Sequence, residues 1–203
     1  MVKTKKDFQS EKSRAAILVA TMDLISKHGF NGTTADKIAV EAGLSKGSIF
    51  WHFDNKENLF LAVIEEIRKG LLRGLLLKQE EELSSRQRLS LLLDNYAALI
   101  ENDCSRCLDL TVLIIEMIET NPGLAGKLRD LFAELADLLI SLLEEAKKRG
   151  EIDGALDSRM TAYAIVGNLQ GMTVQYHLNR DRLEYGRLMN AYKNFVLKGL
   201  FPR

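Results

Sequence analysis

Apolar residues recur along this chain at intervals of three and four, the spacing that lines one face of an α-helix. Ala16, Ile17, Ala20, Leu24 and Ile25 form the first stripe, which predicts a helix from about Ser10 to His28 with Gly29 as its C-terminal stop. A turn follows at Asn31, Gly32, Thr33 and Thr34. Either threonine can cap a second helix, ADKIAVEA, closed by Gly43. Ser45 is placed to cap a third, very short helix that reaches about His52. Asn55 then caps a fourth, with Phe60, Val63, Ile67, Leu71 and Leu75 along one stripe.

The rest of the pattern is helical too. SSRQRLSLLLDNYAALIE reads as one segment, and CLDLTVLIIEMIE is so nearly all apolar that deep burial is expected. Asn121, Pro122 and Gly123 break the pattern. Leu124, Leu128, Leu131, Leu135, Leu138 and Leu142 then mark a long amphipathic helix ending near Gly150. After the loop GEIDGALD, two last helices are predicted, from about Ser158 to Leu178 and from about Arg182 to Leu200. No strand candidate, internal repeat or low-complexity segment interrupts this series.

Composition narrows the class. A chain of 203 residues suits one large or two smaller domains, and its 46% hydrophobic content is enough to build a core. The N-terminal MVKTKKDFQSEKSR lacks the apolar stretch of a secretory signal. No apolar run approaches the roughly 20 residues of a membrane span. A cytoplasmic location is therefore expected. Formal net charge is zero, yet the first 56 residues carry nine basic side chains against six acidic ones. That excess permits a nucleic-acid-facing N-terminal part.

The chemistry concentrates in AGLSKGSIFWHFDNKENLF, residues 42–60. Phe50, Trp51, His52 and Phe53 are consecutive, and Trp51 is the only tryptophan. Successive helical side chains point in different directions, so these four rings cannot share one core. The flanking residues have the logic of a helix-turn-helix. A helix ends at a glycine that accepts a left-handed backbone, Leu44 plugs the corner, and Ser45 caps a second helix whose first turn is free to enter a groove. Ile38, Ala39, Leu44 and Ile49 form the apolar side holding the two helices together.

TTADKIAVEAGLSKGSIFWHFDNKENLF, with the preceding HGFNG, resembles the DNA-binding segment of the TetR family of transcriptional regulators. The resemblance is one of motif from about residue 12 to residue 62, and of architecture beyond. It implies an all-α fold of about nine helices: a three-helix helix-turn-helix DNA-binding domain in residues 1–56 and a ligand-binding and dimerisation domain in residues 57–203. It also implies a homodimer on a palindromic double-stranded DNA operator. The expected activity is that of a repressor released by a hydrophobic small molecule, with no enzymatic function and no cofactor.

Family resemblance and helical geometry together put Ile49 and Phe53 in the core, Phe50 and His52 on the DNA side, and Trp51 at an edge near the fourth helix. The expected DNA-binding residues are Thr34, Ser45, Lys46, Gly47, Ser48, Phe50, Trp51, His52 and Lys56. Lys46 can donate to guanine O6 and N7, and Gly47 lets the backbone approach the groove. Thr34, His52 and Lys56 suit phosphate, with Lys56 adding charge at a helix N-terminus. Ser45 serves as cap or phosphate donor. The family commonly has tyrosine where this chain has Phe50, so one phosphate-bonding hydroxyl is missing. Lys3, Lys5 and Lys6 form a basic arm that suits the DNA backbone or the minor groove, or equally a disordered solubilising tail.

One short recognition helix reads few bases, which favours a dimer on two half-sites. Ala164, Gly167 and Gly171 offer close helix packing, and Leu188, Tyr192, Phe195 and Val196 make a matching stripe. For the ligand, polar groups within apolar helices are the candidates: Tyr96, Thr111, Glu116, Asn168, Gln170, Gln175, Tyr176 and His177. Ile114, Met117, Leu135, Leu139 and Met172 supply the apolar lining. Cys104 and Cys107 have a CxxC spacing, but no second pair or nearby histidine accompanies them, and no metal site is expected. His28, His52 and His177 lie far apart in sequence, without a catalytic motif. The alternative function is that of a hydrophobic-ligand carrier, or of a protein acting through partners, without DNA binding.

Overall fold

The computed structural model describes residues 5–75, 83–102 and 110–201. Within them lie nine helices and no strand: α1 (Lys5–Gly32), α2 (Ala35–Ala42), α3 (Lys46–Phe53), α4 (Lys56–Leu75), α5 (Ser85–Asn102), α6 (Leu110–Thr120), α7 (Pro122–Lys148), α8 (Ser158–Leu178) and α9 (Tyr185–Leu200). The all-α expectation holds. Cys104, Cys107 and Lys3 lie outside the described residues, as do the side chains of Lys5, Lys6, Leu71, Leu75 and Thr111. No helix among the described residues is long and apolar enough to cross a membrane.

The predicted caps are in place. The Thr34 hydroxyl accepts from the Lys37 N–H, Ser45 from Ser48, and Asn55 from Asn58. Asp157, which the sequence pattern did not single out, caps α8 by accepting from Met160. Gly43 closes α2 in the left-handed region at φ 64°, and the Leu44 N–H reaches back to the Ala39 carbonyl at 2.9 Å. The break at Asn121 is itself a helix start. Asn121 accepts from the Leu124 N–H at 3.2 Å, and Pro122 opens α7, where a missing N–H costs nothing.

Gly29 ends the regular part of α1, at a non-helical φ of 69° and ψ of 180°, and further helical residues beyond this kink reach Gly32. Two expectations need correction. The last helix begins at Tyr185 rather than Arg182, because the Arg182 and Leu183 N–H groups both turn back to the Asn179 carbonyl. The segment around α6 is not deeply buried: Leu113 and Met117 face inward, whereas Ile115 and Ile118 are 70% and 61% exposed. Apolar content alone does not show how many faces of a helix find a neighbour.

The chain forms two compact units. The first comprises Met1–Arg68 with Ser105–Leu128, and the second Lys69–Cys104 with Arg129–Arg203. In the first, α2 and α3 pack on α1 and on each other. Ile17, Leu24, Ile38, Ala39, Ile49, Phe53 and Val63 make their shared core. Ile25, Phe30, Phe60, Ile64, Leu113, Met117 and Leu128 form a second cluster in the same unit. In the second unit α5 and α8 both pack against α9, and the α5–α9 seam carries a Lys193–Asp94 ion pair at 2.6 Å.

Candidate DNA-binding surface

The α2–α3 pair resolves the aromatic run. Ile49 and Phe53 are 2% and 4% exposed and enter the core, while Phe50 and Trp51 are 42% and 70% exposed. Lys46 and Gly47 are exposed beside them; Ser48 and His52 are half-buried. One side of an eight-residue helix is therefore spent on packing. The other offers an ammonium, a hydroxyl, an imidazole and two aromatic faces. A Cβ on Gly47 would meet nothing nearer than the Ser45 hydroxyl at 3.8 Å. The fold itself does not require glycine there, and its small size matters only to what approaches from outside.

Several of these groups have partners within the fold. The Lys46 Nζ lies 2.9 Å from an Asp36 carboxylate oxygen, with both side chains well exposed. Such a pair contributes little to stability but sets where the ammonium points. Lys37 donates to the Gly32 carbonyl at 2.8 Å. His52 stacks edge-on against Trp51, with ring centroids 4.6 Å apart. Its pKa is lowered from 6.5, first by burial and then by the Arg14 charge, so the ring is neutral at neutral pH. Arg14 in turn lies 5.3 Å from the Phe53 ring centroid.

Lys56 is tied into the corner between α1 and α2. Its Nζ donates to the Phe30 carbonyl at 2.6 Å and lies 3.9 Å from the Phe30 ring centroid. Burial lowers its pKa, against the opposing charges of Glu116 and Glu57. An ammonium has three donors, so two remain for other acceptors.

The expected ligand residues fall in both units. Ile114, Glu116 and Met117 belong to the first unit; Tyr96, Leu135, Leu139, Asn168, Gln170, Met172, Gln175 and Tyr176 belong to the second. The Glu116 carboxylate clasps the backbone, accepting the N–H groups of Phe30 and Asn31 at 3.1 and 2.9 Å. Met117 is fully buried in the cluster with Phe30 and Phe60, and Ile114 packs against that cluster. Asn168 and Gln175 are exposed. The Asn168 amide donates to the Ala164 carbonyl, and the Gln175 carbonyl accepts from Asn179. Tyr176 is half-buried against the Tyr185 ring, at 5.3 Å between centroids. Tyr96, Leu135 and Leu139 are buried, while Gln170 and Met172 are half-buried.

The α8–α9 face is open. Ala164, Gly167 and Gly171 are exposed, and Phe195 is 76% exposed. A cleft of about 200 Å³ runs between the helices, lined by Ala164, Ile165, Asn168, Tyr192, Phe195 and Val196 among others. Leu188 is half-buried, and burial pushes the Tyr192 hydroxyl up to about 12. Sequence reasoning missed the Asp36–Lys46 pair and the Glu116 clasp. Both join residues too far apart in the chain for any helical spacing rule.

This geometry defines a helix-turn-helix DNA-binding protein. Residues 17–63 match the family model described as "Bacterial regulatory proteins, tetR family", and residues 85–192, more than half of the chain, match "Tetracyclin repressor-like, C-terminal domain". The chain belongs to the TetR family of transcriptional regulators, which are not enzymes. Among its relatives is the fatty acid metabolism regulator protein of Bacillus subtilis, 22% identical over 91% of this chain and 93% of that protein. The nucleoid occlusion factor SlmA of Shewanella pealeana is 28% identical over 90% of each. The fatty acid degradation regulator FadR of Bacillus halodurans shares the fold with a TM-score of 0.81 over 98% of both chains, at 22% identity. FadR of Bacillus subtilis, solved in complex with stearoyl-CoA, gives 0.79 over 92% of this chain and 98% of that one, also at 22% identity.

Proposed function

We propose that this chain acts as a homodimeric repressor on a palindromic operator, and that a hydrophobic small molecule releases it. The observation that carries the reading is the division of α3, with Ile49 and Phe53 inside and Lys46, Gly47, Ser48, Phe50 and Trp51 accessible. Lys46 and Ser48 read base edges, and Gly47 admits the backbone. Phe50 and Trp51 lie against sugar or thymine methyl groups. Thr34, Ser45, His52 and Lys56 hold phosphates. The division of labour follows residues 1–56 for DNA and 57–203 for ligand and dimer. The open α8–α9 face supports the dimer, since an exposed phenylalanine beside small residues suits a second apolar surface.

Ligand occupancy shifts the population away from the DNA-bound state, which requires a difference in ligand affinity of a few kcal/mol between the states. Two relatives are named for fatty acids and one is solved with stearoyl-CoA, so a long acyl chain is the first ligand class to try. Selection of the purified protein on a random duplex pool at two salt concentrations tests the reading. Recovery of a palindrome whose affinity falls steeply with salt, and falls again on adding a long-chain acyl-CoA, is expected. A folded dimer that enriches no sequence would overturn it.

A further inference from the structure

We infer that Glu116 is a positioning residue for DNA binding, acting through the Phe30 peptide on Lys56; this rests on the phosphate role proposed for Lys56. Gly29, at φ 69° and ψ 180°, is in a conformation essentially reserved for glycine. The kink turns the next two N–H groups, of Phe30 and Asn31, the same way, which makes a backbone concavity suited to an anion. The Glu116 carboxylate fills it, with one oxygen to each N–H at 3.1 and 2.9 Å. A Cβ at position 29 would sit 2.8 Å from that carboxylate, so kink and clasp depend on each other.

The other side of the Phe30 peptide completes the relay. Its carbonyl receives the Lys56 ammonium at 2.6 Å. The same carbonyl lies 3.3 Å from the Thr33 N–H, one residue before the Thr34 cap of α2. The Phe30 ring stacks on Phe60 at 4.9 Å, with the ammonium 3.9 Å from its centroid. One carboxylate on α6 thus fixes the peptide that fixes the first residue of α4, whose ammonium follows the recognition helix by three residues. The Asn31 N–H belongs to the same peptide unit as the Phe30 carbonyl, so its charge-assisted bond to Glu116 at 2.9 Å limits how far that carbonyl can swing, and the Phe30 N–H bond holds the preceding peptide beside it.

The test is a double-variant cycle read by anisotropy of labelled duplex over a salt series, using Glu116→Gln, Lys56→Gln and the pair. Loss of one phosphate contact lowers the salt slope by about one per half-site. At 0.15 M salt the affinity should fall by about fivefold per half-site, on operator and scrambled duplex alike. Each single variant should show most of that loss, and the double variant no more than Lys56→Gln alone. A merely structural role for Glu116 would leave the slope unchanged, or would add to the Lys56 effect; either overturns the inference while sparing the Lys56 assignment. Unchanged binding by Lys56→Gln overturns both together. If Glu116→Gln does not fold, Glu116→Asp is measured instead; its carboxylate falls one methylene short, so a partial loss of slope is expected and full retention overturns the inference.

Discussion

Among the described residues, two surfaces expose aromatic side chains, and they differ in what accompanies them. On α3, Phe50 and Trp51 stand among an ammonium, hydroxyls and an imidazole. On α8 and α9, Phe195 and Tyr163 stand among Ala164, Gly167, Gly171 and Met160. The first mixture suits a charged polymer with flat bases and sugar edges, where apolar contact and phosphate bonding act together. The second has little to offer a polyanion and much to offer another small-residue surface. Exposed aromatic area alone does not identify a partner; the polar groups around it do.

The largest predicted effect breaks the second surface. Phe195→Asp puts a charge into the centre of the open cleft and should convert a dimer to monomer in sedimentation. Losing the linkage between two half-sites should weaken operator binding by about 10²- to 10⁴-fold, with melting of the monomer nearly unchanged because the residue is already exposed in a single chain. A monomer that still binds the full operator tightly would show that α8–α9 serves some other purpose.

Next comes the first surface. Lys46→Ala should relax sequence preference by about 1–3 kcal/mol at one base position in each half-site. Asp36 is then left without its 2.9 Å partner and adds a negative charge near the DNA. Lys46→Ala with Asp36→Ala separates the two effects. Preference restored by the second change would mean that repulsion by Asp36, not loss of Lys46, altered the selection.

How much of this was legible in the sequence follows from the range of each interaction. The caps at Thr34, Ser45 and Asn55 act over three residues, and the starts of α2, α3 and α4 follow from them. The inward turn of Ile49 and Phe53 follows from helical spacing. The Glu116 clasp spans 86 and 85 residues, and the Asp36–Lys46 pair joins two helices. No local rule reports such pairs. The same gap explains α6: its apolar run was read as buried all round, but burial depends on neighbours that only the fold supplies.

A smaller effect separates two roles on α3. Ser45→Ala removes the hydroxyl that accepts the Ser48 N–H at 3.2 Å and should cost about 0.5–2 kcal/mol of stability in thermal melting. Ser45→Asp keeps a capping oxygen and so keeps stability, yet it opposes phosphate. Weak DNA binding from a stable Ser45→Asp protein is expected; unchanged binding would confine Ser45 to capping.

The smallest effect is that of pH at His52. Its folded pKa lies below the unfolded 6.5, chiefly through burial and secondly through Arg14. The unfolded chain therefore binds the proton more readily, and stability declines as pH falls from 6.5 through the folded value. DNA reverses the preference, because a neighbouring phosphate favours imidazolium, so complex formation takes up a proton. Acidification from pH 7.5 to 6 should thus lower the melting temperature of the free protein slightly and strengthen DNA binding, by under about tenfold since the ring is only partly enclosed. His52→Gln should flatten both trends. If the variant keeps the wild-type pH dependence of binding, the proton is taken up elsewhere and His52 holds its phosphate, if any, as a neutral donor. Should only the binding trend flatten, His52 meets DNA without contributing to acid sensitivity of the fold. Among the described residues that line the α8–α9 cleft there is no histidine, so dimer dissociation should show no matching dependence over this range, which keeps the two surfaces separable in a single titration.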